Sequence, residues 1–212
     1  MLHRSRLIAA MIGLMLFSGI MADCGEEDSR TAASIRKLVS RGAVVKRFAV
    51  LESETSGLLV RLKPGHLDRN GMIDAEILAA LHPLRELSLE LRGLPLSDAG
   101  LKSLWANVSL VGLDVSGSEI SDCGFQEFPK RNSRLRLLDV SFTRVGDRGL
   151  KSMSELPELR HLSLIGSRVT DSGIEALTRM ECLREIYLTK TEVSPQAAEK
   201  LRVRLPMCRV ER

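Results

Sequence analysis

Aromatic residues are scarce, with Trp105, Tyr187 and five Phe making up all seven in a chain of 212. That shortage, and the absence of any Lys/Arg cluster interleaved with rings, removes the usual footprint of a nucleic-acid-binding surface. Long apolar runs are as rare. The single one lies near the start, which excludes a multi-span membrane protein, while 27% charged residues and a mean hydropathy of +0.01 exclude a disordered tail. The four cysteines form no C-x-x-C pair and have no His at ligand spacing, so a zinc site has no basis. His3, His66, His82 and His161 stand apart from one another, and there is no G-x-S-x-G, Walker loop, G-x-G-x-x-G or H-E-x-x-H. A non-enzymatic chain without cofactor or metal is expected.

What is present begins with an export pattern. His3, Arg4 and Arg6 precede the uncharged stretch Leu7–Ala22, followed by the acidic segment DCGEEDS. Cleavage after Ala22, with Ile20 and Ala22 at the recognition positions, makes residues 1–22 a signal peptide and 23–30 a linker, and places the protein outside the cytoplasm, periplasmic or secreted. Retention of the signal, or a lipid on Cys24, would tie it to the cell envelope. Cys24 has the right place behind the apolar run, but Asp23 stands where a small uncharged residue is the rule. Without the first 22 residues the basic count falls from 31 to 29 against 27 acidic ones, close to balance.

Leucine is the abundant residue, 35 in all, and it recurs in register. Asp followed three residues later by an apolar side chain appears at Asp74, Asp98, Asp122, Asp147 and Asp171, at intervals of 24, 24, 25 and 24, and one further step reaches Pro195. Apolar triplets run in parallel: Leu84/Leu87/Leu89, Leu110/Leu113/Val115, Leu135/Leu138/Val140, Leu159/Leu162/Leu164 and Leu183/Ile186/Leu188. A third series pairs Ser118, Thr143, Ser167 and Thr191 with Ile120, Val145, Val169 and Val193. The alternation in each triplet predicts a short strand with one buried face, and the Asp is expected to cap a short helix by accepting from its first free N–H groups. One carboxylate per unit at a helix start fits a cap better than a catalytic or calcium site. Asp68-Arg-Asn70-Gly71, a fragment of a calcium loop without its remaining ligands, reads as a turn.

The unit L-x-x-L-x-L-x-x-(S/T)-x-(I/V)-x-D-x-G-(L/I)-x-x-L resembles a leucine-rich repeat of the ribonuclease-inhibitor-like, D-x-G-L kind. In its Ser/Thr position, its N-terminal segment (TAASIRKLVS, then Ala43–Val50 and Gly57–Leu62) and its ending LRVRLPMCRV, with a final strand at Leu205–Val210, it is similar to the short exported repeat proteins of planctomycete-type bacteria. The resemblance implies an α/β solenoid with parallel strands on the concave face and short helices on the convex face: an N-terminal cap over 31–62, repeats over 63–194 and a capping repeat over 195–212. It also implies a scaffold that binds a protein or peptide ligand, not nucleic acid, and meets a membrane only through an uncleaved signal or lipidated Cys24. An envelope-associated structural protein is the alternative. A ubiquitin-ligase adaptor, which similar repeats suggest, is disfavoured because an export segment and a cap, not an F-box-like segment, are read ahead of the repeats.

Outward strand positions locate the expected contact. Their first half is acidic and small, through Glu86, Glu90, Asp114 and Asp139, whereas the second half places Leu137, His161, Ile165 and Tyr187 on adjacent strands. Tyr187 is expected to be the aromatic residue that points out of the strand face, with Phe125 in the core and Trp105 along a convex helix. Tyr187, His161, Ile165 and Leu137, rimmed by Asp139 and Glu185, are therefore the candidate partner-binding residues. Arg85, Arg136, Arg160 and Arg184 read as a solvated ion-pair ladder with neighbouring Glu residues. Cys182 and Cys208 fall close together on the last two rungs, where an oxidising compartment permits a disulfide and a core of this size does not require one.

Overall fold

The computed structural model describes residues 29–49, 56–126 and 132–212. The signal segment, its cleavage site and Cys24 lie outside the described residues. Helix α1 (Ser29–Ser40) leads into an antiparallel pair, β1 (Val44–Ala49) and β2 (Ser56–Arg61). From there every strand is parallel to the one before: β3 (Leu87–Glu90), β4 (Leu110–Asp114), β5 (Leu137–Asp139), β6 (His161–Ser163), β7 (Glu185–Tyr187) and β8 (Arg209–Glu211), in the spatial order β1 to β8. Between strands the chain crosses the other side of the sheet as α2 (Ala75–Leu81), α3 (Asp98–Asn107), a 3-10 turn at Asp122–Phe125, α4 (Asp147–Met153), α5 (Asp171–Leu177) and α6 (Pro195–Arg204).

Leucine abundance has its cause in this stacking. All fifteen residues of the apolar triplets are at most 2% exposed, because each lies on or just beside a strand and belongs to the buried layer between sheet and helices. Phe125 lies fully buried in that layer. Trp105, on the convex helix α3 as expected, is buried too, its ring 6.1 Å from that of Phe125 and tilted by 55°. The one irregular step is the passage from β3 to β4, where Leu87 pairs with Leu110 but Ser88 with Gly112. Val111 is the extra residue of that bulge, and beyond it Leu89 pairs with Leu113, so the first rung presents Leu89 and Leu91, not Leu87 and Leu89, in step with Leu113 and Val115.

The Asp series works differently from the cap that its spacing suggests. Only Asp74 caps its own helix, accepting from Glu76 and Ile77 N–H. For four of the later helical segments the cap is the residue before the first helical position: Ser97, Ser121 and Thr170, each ahead of an Asp, and Ser194, ahead of Pro195, accept from N–H groups of the first turn. The Asp carboxylate, one position into the helix, reaches the following rung. Asp98 accepts from Ser121 N–H at 2.7 Å and its hydroxyl at 2.6 Å; Asp147 accepts from Thr170 at 2.8 and 2.7 Å, and Asp171 from Ser194 at 2.6 and 2.7 Å. Each Asp thus staples one rung to the next, and the Ser194 amide and hydroxyl hold the Asp171 carboxyl below the usual carboxylate range. The glycine of D-x-G follows from the same contact. A Cβ at Gly173 would lie 2.4 Å from Asp147 Oδ1, so no side chain fits beneath the staple. Gly146 takes the place of the capping Ser/Thr, and there Asp122 accepts from both Gly146 and Gly149 N–H, at 2.7 and 3.0 Å.

In the Ser/Thr series Ser118, Thr143 and Thr191 close the turn that leaves their strand by donating their hydroxyls to the carbonyl three residues back, whereas the Ser167 hydroxyl is buried without a partner. Asp68 accepts from Asn70 and Met72 N–H in the turn read from the sequence. At the far end the final strand is Arg209–Glu211 and not Leu205–Val210. Leu205 to Cys208 is a turn, closed by Cys208 N–H on the Leu205 carbonyl, with Pro206 lacking the N–H that a strand would need. Among the described residues no helix is long and apolar enough to cross a membrane.

Candidate interaction face

Parallel register lines up the residues opposite the helices into rows across the sheet. One row runs Ser88, Gly112, Leu137, His161, Glu185, Arg209, and the next runs Arg61, Glu90, Asp114, Asp139, Ser163, Tyr187, Glu211. A third row, just past the strands, carries Ser116, Ser141, Ile165 and Thr189, linked by Gly117 N–H to Ser141 O, Phe142 N–H to Ile165 O and Gly166 N–H to Thr189 O. The six candidate residues lie together on β5, β6 and β7 and the turn after β6. Glu185 Oε2 accepts the Tyr187 hydroxyl at 3.0 Å and lies 3.4 Å from His161 Nδ1, so the two rings are tied to one carboxylate. Partial burial, then the Glu185 charge and hydrogen bond, push the Tyr187 phenol up to about 12.

One expectation about this face needs correction: Asp139 does not form a rim because it is buried, whereas Tyr187 does point out of the strand face, opposite buried Ile186, and is half-buried there. Strands this close stand shoulder to shoulder, and short side chains such as Ser88, Asp114, Ser116, Asp139, Ser141 and Ser163 cover one another. Asp114 is 3% and Asp139 8% exposed. Each turns one oxygen back to an N–H two residues on, Ser116 at 2.9 Å and Ser141 at 2.8 Å. Asp114 Oδ2 is buried without a hydrogen-bond partner. Burial, and then the neighbouring Asp139 charge, raise the Asp114 carboxyl to about 6, and burial raises that of Asp139.

The charge that meets solvent has the opposite sign. Arg61 lies on Glu90 with 59% of the guanidinium side chain exposed against 11% of the carboxylate's, and Arg134 on Glu86 with 50% against 15%. Arg209 pairs with Glu211, which stays 39% exposed beside it, and Arg92, exposed, faces Asp114 and Asp139. Long cationic side chains lie above short anionic ones, so a face acidic by count presents arginine. The expected Arg/Glu ladder survives only in part: Arg136 pairs with Glu158 at 3.2 Å, whereas Arg184 donates to the Glu181 and Leu183 carbonyls.

A family model described as Leucine Rich repeat matches residues 131–154, the segment holding β5 and α4. The fold is a leucine-rich repeat solenoid. No curated protein matches the chain. Cys182 and Cys208 are free thiols, the first exposed and the second buried, and burial pushes the Cys208 thiol up to about 11. Among the described residues no cluster of His, Cys, Asp and Glu is arranged to hold a metal ion.

The leucine-rich repeat frame also exposes a residue that sequence reading passed over. At the turn leaving each strand one position has positive φ: Gly93 (68°), Gly117 (70°), Phe142 (56°), Gly166 (66°) and Lys190 (61°). Glycine adopts this conformation freely, while a residue with a Cβ holds it at a cost of about 1 kcal/mol or more. Phe142 nevertheless stands there with 41% of its surface exposed, its ring laid on Gly166, where a Cβ would come within 2.7 Å of Phe142 Cδ1. The signal was legible as an aromatic residue at a repeat position that neighbouring units give to Gly.

Proposed function

We propose that this leucine-rich repeat protein is a non-enzymatic scaffold that works outside the cytoplasm and holds a protein or peptide ligand on its concave strand face. The observation that carries the reading is the uncovered face over β5–β7, where Tyr187 and His161 share Glu185 and stand beside Leu137 and Ile165. Rings fixed before contact lose little freedom on binding, which favours them as anchors. The charged start, apolar run and Ala22 support export, and the likeness to short exported repeat proteins of planctomycete-type bacteria belongs to the same reading. The position of Cys24 supports a second, envelope-anchored form of it.

Two measurements test the proposal. Fractionation of the host should find a shortened protein outside the cytoplasm, with detergent-dependent release if Cys24 carries lipid; an unprocessed cytoplasmic protein refutes the location. Affinity capture should retain a partner that is lost, at least tenfold, with the double variant Tyr187→Ala, Ile165→Ser, while its circular dichroism stays that of the parent. Equal capture by parent and variant refutes the face.

A further inference from the structure

The geometry points to Phe142 as the anchor of the interface, and to an acidic protein segment carrying an apolar side chain as the partner it fits; this rests on the concave-face reading above. Phe142 extends the Tyr187 and Ile165 patch to the rim of the sheet, since its N–H donates to the Ile165 carbonyl at 2.7 Å and its ring lies on Gly166 of the same turn. No requirement of the fold places a ring there. Gly93, Gly117 and Gly166 make the same turn without a side chain, and Lys190 makes it with a solvent-exposed one. An aromatic residue kept exposed in a conformation that glycine satisfies freely is held for a contact.

Charge selects the kind of contact. The turns that carry the ring and Gly166 each bear an exposed guanidinium, Arg144 and Arg168, with Glu119 and Glu192 exposed one turn beyond on either side. Further guanidiniums stand at Arg92 along the third row and at Arg61 and Arg209 towards the two ends of the strand face. The carboxylates at the centre of that face, Glu90, Asp114 and Asp139, are buried beneath the surface and cannot meet a partner first. Arg144 has only Glu119, 3.9 Å away and itself exposed, as counter-charge. An acidic segment satisfies these guanidiniums and sets its apolar residue against Phe142 and Ile165. Because most of these arginines already lie over carboxylates, the field is broken into single sites. That suits a few spaced Asp or Glu side chains and not a polyphosphate backbone.

The test uses the full chain and three fluorescein-labelled probes read by anisotropy: an octapeptide with one Phe among Asp and Glu, the same peptide with every acid replaced by Lys, and a 20-residue oligothymidylate. The acidic peptide is expected to bind, with affinity reduced at least tenfold by Phe142→Gly and by Arg168→Glu, and the other two probes are expected to show no saturable binding. Phe142→Gly should not lower the urea midpoint, since it installs the residue of the neighbouring turns and releases the strain of a Cβ at positive φ. Phe142→Lys, copying the Lys190 turn, repeats the comparison with a side chain present. Wild-type affinity in both Phe142 variants overturns the anchor, and binding of the Lys peptide or the oligonucleotide as tight as that of the acidic peptide overturns the partner chemistry. If Tyr187→Ala abolishes peptide binding while Phe142→Gly does not, the concave face stands and this inference falls. Failure of the wild-type chain to bind the acidic peptide overturns the inference and leaves partner capture to decide the wider reading.

Discussion

Asp114 and Asp139 stand side by side on β4 and β5, like charges in register with little water between them. Glu90 flanks Asp114 from β3 and Arg92 from the turn after it, while Ser116, Ser141 and Ser163 supply the neutral neighbours. Raising the Asp114 carboxyl from 3.8 to about 6 has a defined sign. The stability tied to its protonated form is complete below the unfolded value and is lost as pH rises through the folded one, between roughly pH 4 and 6.5, on the order of 2–3 kcal/mol. Asn in that place keeps an oxygen for the Ser116 N–H and carries no charge. Urea melts should therefore show Asp114→Asn gaining on the parent by that amount between pH 4 and 7, and parallel pH profiles would refute the assignment. The sequence offered Asp114 and Asp139 as outward acids; only neighbouring strands could bury them.

At the scale of elements, the Asp staple explains why D-x-G is one motif and not two residues. Asp147→Ala removes two hydrogen bonds between the starts of α4 and α5 and is expected to cost about 1–3 kcal/mol in a denaturant melt. Asp147→Asn, which keeps an acceptor, should cost less. Gly146 offers the reverse experiment. Its φ of −125° suits any residue, a Cβ there would meet nothing nearer than 3.4 Å, and its rung lacks the side-chain cap that Ser121 and Thr170 supply to theirs. Gly146→Ser should raise stability by about 0.5–1 kcal/mol through the cap and the stiffer unfolded chain. A lower melting temperature would mean that the hydroxyl competes with Asp122 for the same N–H groups. The spacing of Asp, Gly and Ser/Thr was readable in advance, but its partner was misread, since the helix-cap rule is local and the staple joins residues 23 apart.

For the molecule as a whole, each rung leans on the rung before and after it, so cooperativity has to pass along the stack. The apolar layer is continuous from Leu38 of α1 to Val210 of β8, and the ends have a neighbour on one side only. Hydrogen exchange should be slowest in β4 to β6 and fastest in β1 and β8, with Leu138→Ala in the middle rung costing about 2–5 kcal/mol and accelerating exchange in both directions from it. Uniform protection from β1 to β8 would instead mark one indivisible unit. Three arginines near the C-terminus belong to this closure. Arg202 bonds Glu199 and the Val210 carbonyl, Arg212 the Val193 carbonyl, and Arg209 pairs with Glu211.

Periodicity alone determined the fold. Three series repeating about every 24 residues dictate which side chains are buried, because a unit with one apolar face is stable only against copies of itself. The leucine triplets, the convex helices and the gathering of Leu137, His161, Ile165, Glu185 and Tyr187 follow from that rule. Which outward positions reach solvent did not. Strand spacing across the sheet buries a short carboxylate and leaves a long guanidinium above it, and backbone geometry at the turn turns Phe142 outward while Tyr187 folds onto Glu185. Those outcomes depend on the lengths and partners of side chains a whole rung apart, and a distance across rungs is a property of the stacked structure.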